Sequence, residues 1–217
     1  MVIWKLGGNL ENLIYGWVIN DASGFVTKSR TIDGKKKNVW ICPYYSDWMN
    51  MLTRCFCVNY QNIYPTYKGC SVSEEWRYFS DFIRWVDSQP NKDWQKCQLD
   101  KDFLFEGNRE YAPTKCVYIP KSLNSFINSK PKSRGQSLLG TTLDKSRDKE
   151  IYQAICKNPF TGKRDYLGRF PNQLDAHLCW KAKKYEHALK LADEQPDERV
   201  AKRLREMYNL ETDWTNK

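Results

Sequence analysis

The chain has no Cys-x-x-Cys pair, no apolar run approaching the ~18 residues that a membrane-crossing helix needs, and only two histidines, His177 and His187. Each absence excludes a class. Without paired cysteines the strongest zinc and dithiol signatures are missing. Without the apolar run no transmembrane segment is expected. The opening residues Met1-Val2-Ile3-Trp4-Lys5-Leu6-Gly7-Gly8-Asn9 have no charged stretch leading into a long apolar one, so no secretory signal is expected. A cytosolic setting is the resulting expectation, with the cysteines kept reduced.

Aromatic residues and positive charge are abundant. Hydrophobic residues make up 41% of 217, with 9 Trp, 13 Tyr and 9 Phe, enough to build a packed core. Lys and Arg number 35 against 26 Asp and Glu, a net charge of +9. Such an excess favours a polyanionic partner, because neutralising phosphates releases counterions. The cysteines, Cys42, Cys55, Cys57, Cys70, Cys97, Cys116, Cys156 and Cys179, are irregularly spaced. Cys42, Cys55, Cys70 and Cys116 either converge on one structural zinc or serve as small buried hydrophobes.

Residues 1–41 alternate β-prone and turn segments, with Gly34-Lys35-Lys36-Lys37-Asn38 read as a basic turn before a Val39-Trp40-Ile41 strand. Pro43 opens a helix to about Cys57, with Trp48, Leu52 and Cys55 on one face. A second helix is expected from about Glu74 to Val86, burying Phe79, Ile83 and Val86 in a stripe widened by Trp76, Phe82 and Trp85. Gln89-Pro90-Asn91 ends it. Residues 128–139 are polar, basic and rich in Pro, Ser and Gly, which is linker composition. Beyond them, Ile151–Cys156 reads as a strand, Asn158–Lys163 as a turn and Asp165–Phe170 as a second strand. Asn172 caps a helix whose apolar positions Leu174, Leu178, Tyr185, Leu189 and Ala192 keep a 3.6 period. Pro196 sits in the first turn of a last helix with Val200, Leu204 and Met207 on its inner face.

The central segment carries Leu99-Asp100-Lys101-Asp102, then Gly107-Asn108, Tyr111-Ala112-Pro113, Cys116-Val117 and Asn124. This order of strand, Gly-Asn loop, strand and helix resembles the ββα-metal core of HNH (His-Me finger) nucleases in the form that phage homing-type endonucleases carry. Upstream, Cys42-Pro43-Tyr44-Tyr45, Trp48, Met51-Leu52, Arg54-Cys55, Tyr64–Cys70, Glu75-Trp76 and Phe79–Phe82 resemble the helical lead-in of those proteins, so the likeness spans about residues 42–126. The resemblance implies one Mg²⁺ or similar hard cation held by Asp100 and Asn124, with Asn108 bracing the loop. Lys101 stands where the family places its general-base histidine. A lysine must fall several units from its ordinary pKa of ~10.4 to act as a base near neutrality. Asp102 is the alternative base. The Asp-Lys-Asp trio also has a plainer use, pairing charges at a strand end.

The C-terminal run Lys157–Phe170, followed by Leu174-Asp175-Ala176-His177, resembles an AP2 DNA-binding domain over about residues 140–192. That family lays a three-stranded antiparallel sheet in the major groove with one helix behind it. The resemblance makes Arg147, Lys157, Lys163, Arg164, Tyr166 and Arg169 the candidate DNA contacts. Residues 128–170 hold ten Lys/Arg against four Asp/Glu, so much of the net charge is concentrated here.

The expected fold is α+β: a β-rich segment at 1–41, an HNH-like ββα domain at 42–127, a basic linker at 128–139 and an AP2-like domain with a C-terminal helix at 140–217. The expected function is metal-dependent cleavage of duplex DNA by a monomer of the homing-endonuclease type, with no membrane partner. Two alternatives stay open: an HNH-derived DNA binder that does not cut, and a phage factor that binds and inhibits a host protein. The alternatives differ in whether affinity for duplex falls steeply with salt.

Overall fold

The computed structural model describes residues 13–127, 137–144 and 150–209 of a mixed α+β chain. Contacts divide the chain into two units, 1–118 and 119–217. Composition places the boundary in the basic stretch 128–139, whereas the division falls between Tyr118 and Ile119. Residues 128–136 of that stretch lie outside the described residues. Among the described residues no helix is long and apolar enough to cross a membrane.

The first unit begins with an antiparallel ribbon, β1 (Thr27–Ile32) and β2 (Lys35–Ile41). Here the structure corrects the sequence reading. The turn is Asp33-Gly34, both at positive φ (52° and 69°), and Lys35–Asn38 belong to β2. An Asp-Gly pair is the residue choice a two-residue hairpin turn demands, because its twist matches that of the strands. Pro43 then occupies the first turn of α1 (Pro43–Phe56), where its missing N–H costs nothing. Trp48, Met51, Leu52 and Cys55 form its buried face, as the spacing predicts. A short α2 (Val58–Ile63) follows, then β3 (Ser71–Val72).

The second predicted helix starts late. Glu74–Trp76 is a single 3-10 turn, and α3 spans Phe79–Ser88. The N–H of Ile19 takes the Arg77 carbonyl (2.9 Å) and the Ile19 carbonyl takes the Phe79 N–H (3.0 Å), so the backbone between them is committed to a bridge. Asp21 then caps α3 from 59 residues away, accepting the Ser80 N–H at 2.8 Å and its hydroxyl at 2.5 Å. Trp76, Phe79, Phe82, Ile83 and Val86 close on α1 to make the core, with the Trp48 and Phe79 rings 5.1 Å apart and the Trp76 and Trp85 rings 4.6 Å apart. Each such ring contributes ~1.5–3 kcal/mol by leaving water. Next, β4 (Cys97–Asp100) pairs with β6 (Val117–Pro120), the strand in which the division falls, while β5 (Glu110–Tyr111) pairs in parallel with β3.

The second unit opens on α4 (Lys121–Ile127) after the end of β6. Its sheet runs β7 (Thr141–Leu143), β8 (Tyr152–Lys157), β9 (Arg164–Phe170), antiparallel throughout. One face is covered by α5 (Gln173–Asp193), capped by Asn172, whose Oδ1 accepts the Asp175 N–H at 2.8 Å. A final α6 (Glu198–Glu206) is capped by Asp197 and buries Val200, Ala201 and Leu204; Met207 falls just past its end.

The face of α5 differs from the one its leucines predict. Leu174, Leu178 and Leu189 are exposed, and of the five predicted positions only Ala192 is fully buried. The helix instead turns Ala176, His177, Trp180, Lys184, His187 and Ala188 inward. Ala154 and Cys156 on β8 are small and let the helix approach closely, and the Trp180 ring needs the gap that Gly140 leaves. One large ring against small residues sets the helix rotation more firmly than three leucines that the sheet has no room to receive.

Candidate active site and nucleic-acid interface

Asp100 ends β4 and stays half-buried. Its Oδ1 accepts the backbone N–H of Asp102 (3.0 Å) and of Phe103 (2.7 Å), so the carboxylate folds the chain into the loop that follows. Burial, reinforced by the like charge of Asp102 and a side-chain hydrogen bond to it, pushes the Asp100 carboxyl up to about 6.

Lys101 points inward. Its Nζ donates to the Asn108 carbonyl at 2.8 Å and to Asp102 Oδ2 at 3.1 Å, and its side chain is 9% exposed. Asn108 closes the same loop from the other side: its Nδ2 donates to the carbonyls of Lys101 (2.6 Å) and Glu110 (2.8 Å), and its Oδ1 accepts the Glu110 N–H (3.2 Å). Gly107, at φ 75°, makes the turn between them. Both residues therefore brace the loop, and the Lys101 ammonium is used there as a donor. Asp102 is half exposed, with its Oδ2 accepting from Lys101. Asn124 stands on α4 in the second unit, half-buried and engaged.

Asp100 and Asp102 supply oxygen donors of the kind a hard cation takes, and a cation beside them would relieve the repulsion that raises Asp100. Among the described residues no three His, Cys, Asp or Glu side chains group as a metal site would require. Cys42, Cys55, Cys70 and Cys116 are buried free thiols. Burial pushes the Cys55 and Cys116 thiols up to about 12.

In the second unit the sheet face away from α5 is set by register. Lys157 lies opposite Arg164, Ile155 opposite Tyr166 and Gln153 opposite Arg169, while Ala154 and Cys156 alternate onto the helix side. Four of the candidate contacts, Lys157, Arg164, Tyr166 and Arg169, thus share one face. Lys163 stands beside them, exposed in the turn that Asn158 builds by accepting the N–H groups of Phe160 (3.0 Å) and Thr161 (3.2 Å). Arg147 lies outside the described residues.

No protein family, curated protein or solved structure matches this chain.

Two residues of the second unit, Asp144 and Lys184, escape the sequence reading, and both histidines lie inside it. Asp144, buried at the end of β7, pairs with Arg169 at 3.1 Å and accepts from Gln153 Nε2 at 3.0 Å, fixing the guanidinium across the sheet. Lys184 sits inside the unit, its Nζ 3.4 Å from the centre of the Phe126 ring and bonded to the Phe126 carbonyl; burial lowers it to about 8. His187 is buried with Nε2 3.4 Å from Asp165, and burial lowers its pKa. His177 is also inside, its Nδ1 2.9 Å from the Leu139 carbonyl. Neither histidine faces solvent: both are buried on the inner side of α5. The sequence gives no sign of a buried lysine here, because a charged residue on a helix ordinarily marks its wet face.

Proposed function

We propose that this protein binds duplex DNA through the β8–β9 face, as an AP2-like reader joined to an HNH-like ββα unit. The observation that carries the proposal is the common face of Lys157, Arg164, Tyr166 and Arg169, opposite the helix. A twisted antiparallel sheet with forked arginines suits a major groove, where Arg reaches guanine or phosphate. Among the described residues Lys157, Lys163 and Arg164 have no ion-pair partner, so their charge is available to phosphates. The test is the affinity of the full chain for a duplex of about 30 base pairs at about 50 and about 200 mM salt, where a protein making several phosphate contacts loses orders of magnitude. Affinity that ignores salt would favour the host-protein reading instead.

A second reading, metal-dependent cleavage, is favoured by the placement of two carboxylates, Asp100 and Asp102, at the end of β4, in a loop that Asp100 Oδ1 folds by accepting the N–H groups of Asp102 and Phe103. In this reading Asp100 and Asp102 are the residues that would hold a divalent cation, and the reaction is hydrolysis of the phosphodiester by water. Such a cation supplies charge stabilisation for the phosphate and the leaving oxygen. Lys101 keeps the loop closed rather than taking the proton, since its Nζ already serves Asn108 and Asp102. Plasmid nicking in Mg²⁺ or Mn²⁺, abolished by EDTA and by Asp100→Asn, supports cleavage; no nicking under any of these metals leaves the DNA-binding reading and removes this one.

A further inference from the structure

The β1–β2 ribbon has no part in either reading, yet it is the most exposed element of the first unit. Residues 27–41 hold five Lys/Arg against one Asp. The Asp33-Gly34 turn fixes the register: Ile32 lies opposite Lys35, Arg30 opposite Lys37 and Lys28 opposite Trp40. Paired residues share a face, and alternate residues return to it. An irregularity between Lys28 and Ser29 leaves Val39 unpaired and returns Trp40 to the face of Lys28, where the Nζ lies 5.5 Å from the indole. One face therefore gathers Lys28, Arg30, Lys35 and Lys37 with Trp40 and Ile32, while the other carries Ser29, Thr31 and Asn38 with Lys36.

These cations are little used within the protein. Among the described residues Arg30 and Lys35 have no ion-pair partner, and Lys37 only a 3.8 Å contact to exposed Asp33, worth little in water. Every residue of β2 is exposed, including Val39 at 48% and Trp40 at 42%. The ribbon is tied at its base, where the N–H of buried Cys42 donates to the Val26 carbonyl at 2.8 Å. A two-stranded ribbon standing free of the core is marginal in water and gains from a surface to lie on.

We propose that this cationic face is a second duplex-DNA contact, lying in the major groove with Arg30, Lys35 and Lys37 toward phosphates. The proposal rests on the reading of the chain as a DNA binder. A major groove ~12 Å wide admits a two-stranded ribbon, and the charge of this face complements phosphate rather than a neutral protein surface.

The test is a salt titration of duplex affinity with the full chain and Arg30→Gln/Lys35→Gln. Each phosphate contact adds about 0.9 to the log–log salt slope, so the double variant is expected to bind more weakly with a slope shallower by ~2. Arg30→Lys/Lys35→Arg keeps the charges and is expected to keep the slope. Lys28→Gln/Lys37→Gln gives the same readout if the first pair lowers the melting midpoint. An unchanged slope in a folded double variant overturns the ribbon contact and leaves the sheet reading standing. A parent chain without salt-dependent duplex affinity overturns both. A loss seen on single strands but not on duplex overturns the groove placement.

Discussion

Lys101 and Asn108 hold the two ends of one loop by reciprocal bonds: Lys101 Nζ donates to the Asn108 carbonyl at 2.8 Å, and Asn108 Nδ2 donates to the Lys101 carbonyl at 2.6 Å. Lys101→Met leaves the part-buried Asn108 carbonyl without its donor, and Asn108→Ala removes all three side-chain bonds of the brace, so each is expected to destabilise by ~1–3 kcal/mol. Because the pair shares one loop, the double variant should cost less than the sum. Urea denaturation of the four proteins checks this, and full additivity would contradict the mutual bracing.

Asp100 gives a pH signature. Its folded pKa of about 6 lies above the ordinary carboxylate value, so between roughly pH 4 and 6 the folded chain holds a proton that the unfolded chain has released. Stability from this group therefore falls as pH rises through that window, and the cost is fully present above it. Asp100→Asn keeps an acceptor for the Asp102 and Phe103 N–H groups and removes the charge. The variant should gain on the parent as pH rises from about 4 to about 7. Mg²⁺ at neutral pH should raise the melting midpoint of the parent and not of Asp100→Asn if the carboxyl pair takes a cation.

Lys184 has the opposite sign. Burial lowers it from 10.5 to about 8, so between those values the unfolded chain keeps a proton that the folded chain has released. The parent should gain stability relative to Lys184→Met, by ~1–3 kcal/mol, as pH rises from about 7 to about 10. Chemical denaturation at fixed pH values measures the gap. Parallel curves would mean that the amine stays charged in the folded unit.

Gly140 sits at φ 75°, and an added Cβ would fall about 2 Å from the Trp180 ring, inside contact distance. Gly140→Ala should therefore destabilise by more than ~1 kcal/mol, through both the left-handed backbone and the overpacking. Leu178→Ala, on the exposed side of α5, should stay within about 0.5 kcal/mol. Comparable losses at the two positions would contradict the observed rotation of the helix.

Local signals were read well where one residue decides the geometry. Pro43 opens α1, Trp48, Leu52 and Cys55 share its face, Asn172 caps α5, and Asn158–Lys163 forms the turn of the β8–β9 hairpin. The misreadings come from partners distant in sequence. The start of α3 depends on Ile19 and Asp21, and the inner face of α5 depends on Gly140, Ala154 and Cys156. At the candidate sites, residue types alone identified the cluster around Asp100, but the inward turn of Lys101 depends on the Asn108 carbonyl, which no spacing reveals. Asp33-Gly34 was legible as a hairpin turn; three adjacent lysines carried the expected turn four residues into β2.

The sheet face is tested most directly by Lys157→Gln/Arg164→Gln in the full chain, with duplex affinity followed across a salt series. The two residues are paired and exposed on the face opposite α5, so the fold should survive their loss of charge. The expected result is weaker binding with a log–log salt slope shallower by about 2, uniformly across duplex sequences for phosphate contacts and unevenly where Arg164 reads a base. A folded double variant with the parent's affinity and slope would contradict DNA binding through this face.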